Sequence, residues 1–420
     1  MDKNAVQPPQ LPDIYHEKLK IYNNAMSLKQ EGRICIAPQI MYLPIFMYGE
    51  TTVKEVMTDY RNAIPSWLRY HREYNPDLFW DLGAILPLRV LEALDCQYAR
   101  WPGRHLDDNT CFQVLDEEFM SADEYVEYAE DPTGFMMRKI LPRHYKALDG
   151  LKMVDHSCSF YIGAFYNMIP YALPPVRQAV AAMTSAGENM LDYAKAMGEM
   201  KAIHAAEGFP AACDFVAFAP FDLFNDLFRG LVNTTMDMVE CPDELLLAIE
   251  ASTKVQVRRI KEHFKRMPDT KTVYFYLHNG TDYFMSPQMF EKFYWPGLKA
   301  CIEAIVECGG YARVYTEEKY DQKMDFLADV PKGKVCYHLI NSDLKLAKKK
   351  LGGIACISGG IDGTALNFGT ADQVERNVRE TLEIVMQDGG YILDTSVSLD
   401  LAKPENLHRM FETALKYGNY

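Results

Sequence analysis

Five short stretches of the chain set reactive side chains directly after an apolar run: His278, Tyr315 to Glu318, His338 to Asp343, Gly359 to Asp362, and Asp394 to Ser398. A sixth and earlier candidate is Asp81, inside the run Phe79–Leu82. Imidazole and carboxylate groups move protons, polarise a bond or ligate a metal. Each also has a plainer use. His278, in LHNGTD, could simply hydrogen-bond the turn that Gly280 marks. Glu317 and Glu318 open a helical pattern, where carboxylates suit the positive end of the dipole. His338, in CYHLIN, is flanked by apolar residues, as a satisfied core histidine would be. Gly359, Gly360 and Asp362 read as a strand-to-helix turn that either approaches a ligand closely or is only tight. It is no phosphate loop, because no GxGxxG or Walker pattern is present. Asp81 and Asp394 end strands, and a buried carboxylate needs partners.

What positions these groups is a unit that recurs through the C-terminal third. A short apolar run ends in a polar loop, and an amphipathic helix follows. Thr272–Leu277 precedes Ser286–Val306, and Tyr311–Tyr315 precedes Glu318–Ala328. Lys334–Ile340 precedes Asp343–Leu351, Ile354–Ile357 precedes Thr370–Gln387, and Tyr391–Leu393 precedes Pro404–Tyr417. Strands alternating with helices imply a parallel sheet with crossover helices. A closed barrel and a doubly wound sheet both fit, and in either the chemistry sits on the loops after the strands.

The first half carries weaker signals. Residues 1–13 are a polar, proline-bearing lead, and Asp13–Gln30 reads as a helix. Ile34–Tyr48 is apolar but broken by Pro38 and Pro44. Thr51 and Thr52 can cap a helix through about Tyr74, with Leu78–Leu82 as the next strand. Residues 97–150 are rich in polar turns, as expected of an insertion folded over a barrel mouth. Pro174–Glu207 is helical in pattern, Cys213–Ala219 is a strand, and Phe221–Leu231 and Pro242–Arg266 are helices.

The 420 residues suit one barrel with additions, since such barrels take ~250 residues and exceed ~400 with insertions. Net charge is −14, which argues against nucleic acid as a partner. No apolar run reaches the ~20 residues of a membrane helix. The segment MDKNAVQPPQLPD lacks the apolar core of a signal peptide. Ten dispersed cysteines with no CxxC pair predict reduced, mostly buried thiols in a cytoplasm. Neither a GxSxG elbow nor an HExxH helix is present, so serine hydrolase and zincin chemistry have no motif here. Tyrosine and methionine are plentiful, at 26 and 22, and serve as core filler or as an aromatic pocket lining.

Three segments carry a resemblance. YFMSPQMFEKFYWPGLKACIEAIVECGG (Tyr283–Gly310) is similar to a pattern of the form sP..f..f..P..k..i. CISGGIDGTALNFGTADQVERNVRETLEIVMQDGGYILDTSVSL (Cys356–Leu399) contains a G.vd...l..gt...V loop and a GGyIl strand, and KPENL (Lys403–Leu407) follows. DLFRGLVNTTMDMVECPDEL (Asp222–Leu245) is similar to an rG...ll.dl...Pe helix pair. Together they resemble the uroporphyrinogen decarboxylase superfamily, strongly over the last 150 residues or so and faintly before residue 200. The resemblance implies a single TIM (β/α)8 barrel over residues 1–420, with 1–34 as a helical lead and about 97–150 as an insertion.

The superfamily carries two chemistries. In the decarboxylase branch a catalytic Asp lies in an FsDil strand, and FWDL (Phe79–Leu82) puts Asp81 there. That branch also has an arginine-bearing loop, and the matching APQIMYLPIFMYG (Ala37–Gly49) has no arginine to meet a polycarboxylate. The methyltransferase branch carries a His-x-Cys and a later Cys as zinc ligands. Here Tyr315 and Glu317 occupy the first pair, and Ser396 or Val397 stands near the last. The resemblance therefore implies an O-demethylase-like methyltransferase, moving a methyl group from a small, possibly methoxylated, donor to a corrinoid protein. Glu317, His338 and Asp81 are the expected catalytic residues. His278, Tyr315, Asp362 and Asp394 are the expected substrate-binding residues. Zinc, if held, falls to Glu317 and His338, a harder site suited to polarising an ether oxygen. Barrels of this family often pair, so a homodimer is a further expectation. A uroporphyrinogen decarboxylase and a silent ligand-binding barrel are the alternatives.

Overall fold

The computed structural model describes residues 11–81, 85–156 and 160–420. Most of the polar lead, Leu82 of the expected early strand, and Cys158 lie outside these. In chain order the strands are β1 (Cys35–Ile36), β2 (Ala99–Arg100), β3 (Gln113–Val114), β4 (Phe215–Phe218), β5 (Thr272–Leu277), β6 (Tyr311–Thr316), β7 (Val335–Leu339), β8 (Cys356–Ile361) and β9 (Tyr391–Thr395). β2 and β3 form a small antiparallel hairpin. The other seven make one parallel sheet in the order β1-β9-β8-β7-β6-β5-β4.

The two edges of that sheet meet through a short eighth stave. Asp77 donates its N–H to Ile36 O at 2.8 Å, Phe79 donates to Pro210 O at 2.7 Å, and Ala212 donates to Phe79 O at 2.9 Å. Phe79 and Ala211 form a parallel bridge. The fold is therefore a TIM barrel, the first of the two architectures the alternating pattern allowed. The stave pairs so briefly because Pro76 and Pro210 bring no N–H to the ladder.

The strands are β-branched and aromatic runs buried on both faces, as a parallel sheet under helices requires. β7 and β9 are buried along their whole lengths. Alternation of period two turns Tyr274, Tyr276 and then His278 inward along β5, and Arg313, Tyr315 and then Glu317 along β6. Register pairs Arg313 with Cys336 and Tyr315 with His338. The interior is thus layered, with Arg313 deepest, Tyr315 and His338 above it, and Glu317 at the mouth.

Several expected elements come out differently, each for a local reason. The expected helix Glu318–Ala328 shrinks to Asp321–Lys323 and Met324–Leu327. Glu317 and Glu318 therefore lie in a loop, and no helix dipole explains them. The helix expected from Thr52 to Tyr74 divides into Val53–Thr58, Tyr60–Ala63 and Ile64–Tyr74. Pro65 has no N–H to bond Arg61 O, so the chain tightens before it. β8 runs on to Ile361, placing Gly359 and Gly360 in the barrel wall rather than in a turn. Their φ angles are +107° and +95°, and a Cβ on Gly359 would lie 2.6 Å from Leu339 O. Only glycine fits there.

Between the eighth stave and β4 the chain makes a long excursion on the side of the strands' C-terminal ends. Phe119 donates its N–H to Phe228 O at 2.7 Å, and Lys54 donates to Asp108 O at 3.0 Å. Its return is the helix Pro174–Ala206, 33 residues long. No helix among the described residues is long and apolar enough to cross a membrane.

Candidate active site

His278 follows β5 and ends up held by carboxylates from two other elements. Its Nδ1 bonds Asp226, and its Nε2 lies 3.4 Å from a Glu317 oxygen. Its backbone N–H donates to Asp222 Oδ2 at 3.2 Å. Asn279 Nδ2 donates to Asp226 Oδ1 at 2.8 Å, and Tyr294 OH donates to Asp222 Oδ2 at 2.6 Å. The side chains of His278 and Glu317 remain 34% and 42% exposed, so both reach solvent at the mouth.

Two wide-turn helical segments make this geometry. Leu223–Arg229 and Phe290–Tyr294 are π-helical, and π turns are frequent at functional sites. The first carries Asp226 just after Asp222, so that both carboxylates meet His278. The second brings Tyr294 under the same loop. Gly280 allows the close approach, because a Cβ there would lie 2.9 Å from both Phe290 Cε2 and Tyr320 OH.

The charges of this cluster shift one another. Burial works against a charged His278, but Asp226, Asp222 and Glu317 outweigh it and lift the imidazole to about 10. At neutral pH the ring is a cation. Asp222 moves up to about 7, first through burial and then through Asp226. Its Oδ1 is buried without a hydrogen-bond partner, which suits a carboxyl carrying a proton on that oxygen. Glu317 is raised by burial and by Asp226, against the pull of His278.

A second set lies deeper and is sealed. Arg313, His338 and Asp394 are all fully buried. Asp394 Oδ2 lies 3.5 Å from Arg313 Nη2 and 3.4 Å from His338 Nδ1, and accepts from Ser358 OH at 3.2 Å. Asp394 Oδ1 accepts the N–H groups of Gln39 at 2.6 Å and Thr395 at 2.9 Å. His338 Nε2 bonds Thr395 O at 2.7 Å. Burial pushes the His338 pKa down, so the ring is neutral. The Arg313 guanidinium stacks 4.6 Å over Trp80 and finds no hydrogen-bond partner.

The structure thus brings His278 to Glu317, and His338 to Asp394, but it separates the two pairs. Tyr315 stands between them, its ring 4.8 Å from His338 and 5.7 Å from Tyr276. Asp81 ends the eighth stave and lies 3.5 Å from Lys201. Burial raises the Tyr276 pKa, and the charges of Asp81 and Glu317 add to it. Asp362 caps the helix Gly363–Phe368, accepting from Thr364 N at 2.8 Å. That bond engages its Oδ1 at the start of the helix.

Zinc does not fit these side chains as they stand. Both His278 nitrogens face carboxylates and the ring is charged, while His338 has spent Nε2 on Thr395 and is sealed from Glu317. Among the described residues no three His, Cys, Asp or Glu side chains gather as a metal site would require. Glu317 and His338, expected as a metal pair, stand in different sets, at the mouth and in the interior. Asp222, Asp226 and Tyr294 escaped the sequence reading. A signal was present for Asp222, which stands three residues past the end of the expected strand Cys213–Ala219. Reading Phe221–Leu231 as one regular helix hid it.

The barrel is similar to a methyltransferase from Methanosarcina mazei, with a TM-score of 0.60 at 12% identity, covering 95% of this chain and 98% of that one. A looser likeness, with a TM-score of 0.42 at 11% identity, links it to a B12-independent methionine synthase from Shewanella sp. W3-18-1 in complex with selenomethionine, over 92% of this chain and 95% of that one. No curated protein matches in sequence. The uroporphyrinogen decarboxylase (URO-D) pattern matches residues 171–417, from the return helix through the last helix. Because that match spans more than half of the chain, the protein belongs to the uroporphyrinogen decarboxylase family.

Proposed function

We propose that this chain is a methyltransferase that takes a methyl group from an uncharged methoxylated aromatic compound and delivers it to a corrinoid protein. The observation that carries the reading is the His278 imidazolium held between Asp226 and Glu317 at the barrel mouth. The likeness in fold to the Methanosarcina mazei methyltransferase supports it. The mouth is acidic, with Asp222, Asp226 and Glu317 around one histidine. Such a site repels a polycarboxylate and accepts a neutral donor.

When docked, the partner's corrinoid supplies the nucleophile, and this chain needs none of its own. The chain's task is the other end of the bond. As the methyl carbon leaves, its bonding electrons stay on the ether oxygen, where charge develops. His278 Nε2–H is the donor aimed at that charge. Its 3.4 Å contact with Glu317 is longer than the ~2.7–2.9 Å of a firm charged hydrogen bond, so the N–H is free to turn to substrate. Asp226 fixes the ring through Nδ1, and Asn279 fixes Asp226. The imidazolium at about 10 matches a phenol, whose pKa is ~10, so the proton can follow the charge onto the departing oxygen. An aliphatic alkoxide is far more basic and gains less from the same donor.

The test mixes the purified protein with a reduced corrinoid protein and a panel of methoxylated compounds, and follows methyl–cobalt formation by absorbance. Aryl methyl ethers should react and aliphatic ethers should lag. No methylation with any donor, together with turnover of uroporphyrinogen, would return the chain to decarboxylation.

A further inference from the structure

β5 brings one more hydrogen-bond donor to the mouth than the reaction above uses. Tyr276 and His278 lie two residues apart on the same face of the chain, ~7 Å along the strand direction. His278 leans towards β6, where Glu317 lies 3.4 Å from its Nε2. Tyr276 leans the other way. Its hydroxyl oxygen accepts from Gln39 Nε2 at 3.4 Å. Gln39 follows β1, which lies three staves round the barrel by way of β4 and the eighth stave.

Gln39 is held on every side. Its backbone N–H donates to Asp394 Oδ1 at 2.6 Å, and its carbonyl accepts from Leu399 N at 2.9 Å. Its side-chain Oε1 accepts from Tyr274 OH at 2.8 Å. The amide therefore faces Tyr276 with its N–H, and the Tyr276 oxygen accepts there. A phenolic hydroxyl also has one hydrogen to donate. Among the described residues that hydrogen meets no acceptor, and Tyr276 is partly exposed. Burial raises its pKa, so the proton stays on the oxygen at physiological pH. The neighbouring ring suits an arene. Tyr315 stands 5.7 Å from Tyr276 at 66°, and such edges and faces give an aromatic ligand the edge-on and offset contacts it prefers.

We propose that Tyr276 is a specificity-determining residue of the mouth: its hydroxyl donates to a second, neutral oxygen on the aromatic donor, meta or para to the methoxy group that His278 serves. The inference rests on the methyl-transfer reading and narrows the aryl ethers that the site takes. Because the two donors lean apart, they do not fit two oxygens on neighbouring ring carbons. Neutrality follows from charge. A carboxylate placed at this hydroxyl would face Asp81 and Glu317, whose charges already act on Tyr276. A hydroxyl, methoxy or carbonyl oxygen accepts the same hydrogen bond without that repulsion.

Isothermal titration of the full chain reads this without any corrinoid. The wild type should bind 4-methoxyphenol about fivefold or more tighter than either anisole or 2-methoxyphenol, as one hydrogen bond allows. Tyr276→Phe keeps the ring and removes the donor. With unchanged near-UV circular dichroism it should bind 4-methoxyphenol no better than anisole, while its affinity for anisole stays that of the wild type. In turnover its KM for 4-methoxyphenol should rise by the same factor at unchanged kcat, since the bond is made equally in the ground and transition states. Equal binding of the three ligands by the wild type overturns the proposal, whether or not the variant folds. So does a preference that the folded variant preserves, or a wild type that binds none of them. A Tyr276-dependent preference in a chain that methylates no corrinoid would uphold this subsite and remove the proposed chemistry. Methyl transfer without the preference would do the reverse.

Discussion

His278, just after β5, and His338, on β7, belong to one barrel, each beside carboxylates, and they shift in opposite directions. His278 rises to about 10, whereas His338 is lowered. Burial disfavours the cation at both. Three carboxylates overcome it at the mouth. In the interior the single Asp394 does not, and Arg313 adds to the loss. Exposure completes the contrast. The mouth trio of His278, Asp226 and Glu317 reaches solvent, while the interior trio of Arg313, His338 and Asp394 is sealed under Tyr315. A histidine next to an acid is therefore not a site by itself. What makes one is a free N–H, a surplus of negative charge and a path to the ligand.

The interior trio is the more sensitive half of this contrast. Asp394 is the one carboxylate balancing a buried guanidinium that cannot lose its proton. Asp394→Ala leaves Arg313 uncompensated, and should cost about 3–5 kcal/mol in urea melts. Replacing both, as Arg313→Met with Asp394→Leu, should recover most of that loss, because a well-packed apolar pair needs no partner. A single variant that melts like the wild type would mean the interior charges are not structural.

The mouth should answer in rate and not in stability. His278→Gln should lower kcat/KM for methyl transfer by about 100-fold or more, as expected for a lost acid or charged donor. Glu317→Gln should lower it by about tenfold. Both should melt within about 1 kcal/mol of wild type, since exposed ion pairs contribute little. A large loss of stability in either variant would move the mouth cluster into the same class as the interior one.

The barrel was legible where the code is simple. Thr272–Leu277 and Pro242–Arg266 appear in the fold with the bounds the sequence implied, because a β-branched aromatic run or a proline-started helix with acids first and bases last leaves little choice. The candidate site was legible only in part. His278 and Glu317 lie on strand ends, where period-two alternation points inward. Asp226 and Tyr294 ride on π turns, and Asp222 stands just before the first, where a 3.6-residue template cannot see the wider period. Gly359 and Gly360 imitate a loop, and only the neighbouring Leu339 carbonyl shows that they belong to the wall.

Asp222 sharpens the contrast through pH. Its carboxyl moves from an ordinary 3.8 to about 7, chiefly through burial. Below pH ~4 the group is protonated whether the chain is folded or not. Between there and about 7 only the unfolded chain releases the proton, so this group's contribution falls as pH rises. Asp222→Asn removes that dependence. Relative to the wild type it should gain about 2 kcal/mol between pH 4 and pH 7, less than the full shift implies because Asp222 and the His278 cation interact. Chemical melts at both pH values measure it. A constant difference between the two proteins would show that Asp222 is ionised throughout.

Asp362 gives the smallest effect and separates a cap from a ligand. It was expected to bind substrate, yet its Oδ1 accepts from Thr364 N at 2.8 Å at the start of Gly363–Phe368. Its own N–H donates to Asn377 Oδ1 at 2.9 Å, which fixes the entry to that helix. Losing a cap oxygen costs ~1 kcal/mol, and serine or asparagine restores it. Asp362→Ala should therefore lower stability by about 1 kcal/mol, Asp362→Asn should recover it, and neither should change KM for the methyl donor. A KM that rises severalfold in the folded Asp362→Asn variant would place this carboxylate at the substrate. The mouth would then extend from β5 and β6 across to β8.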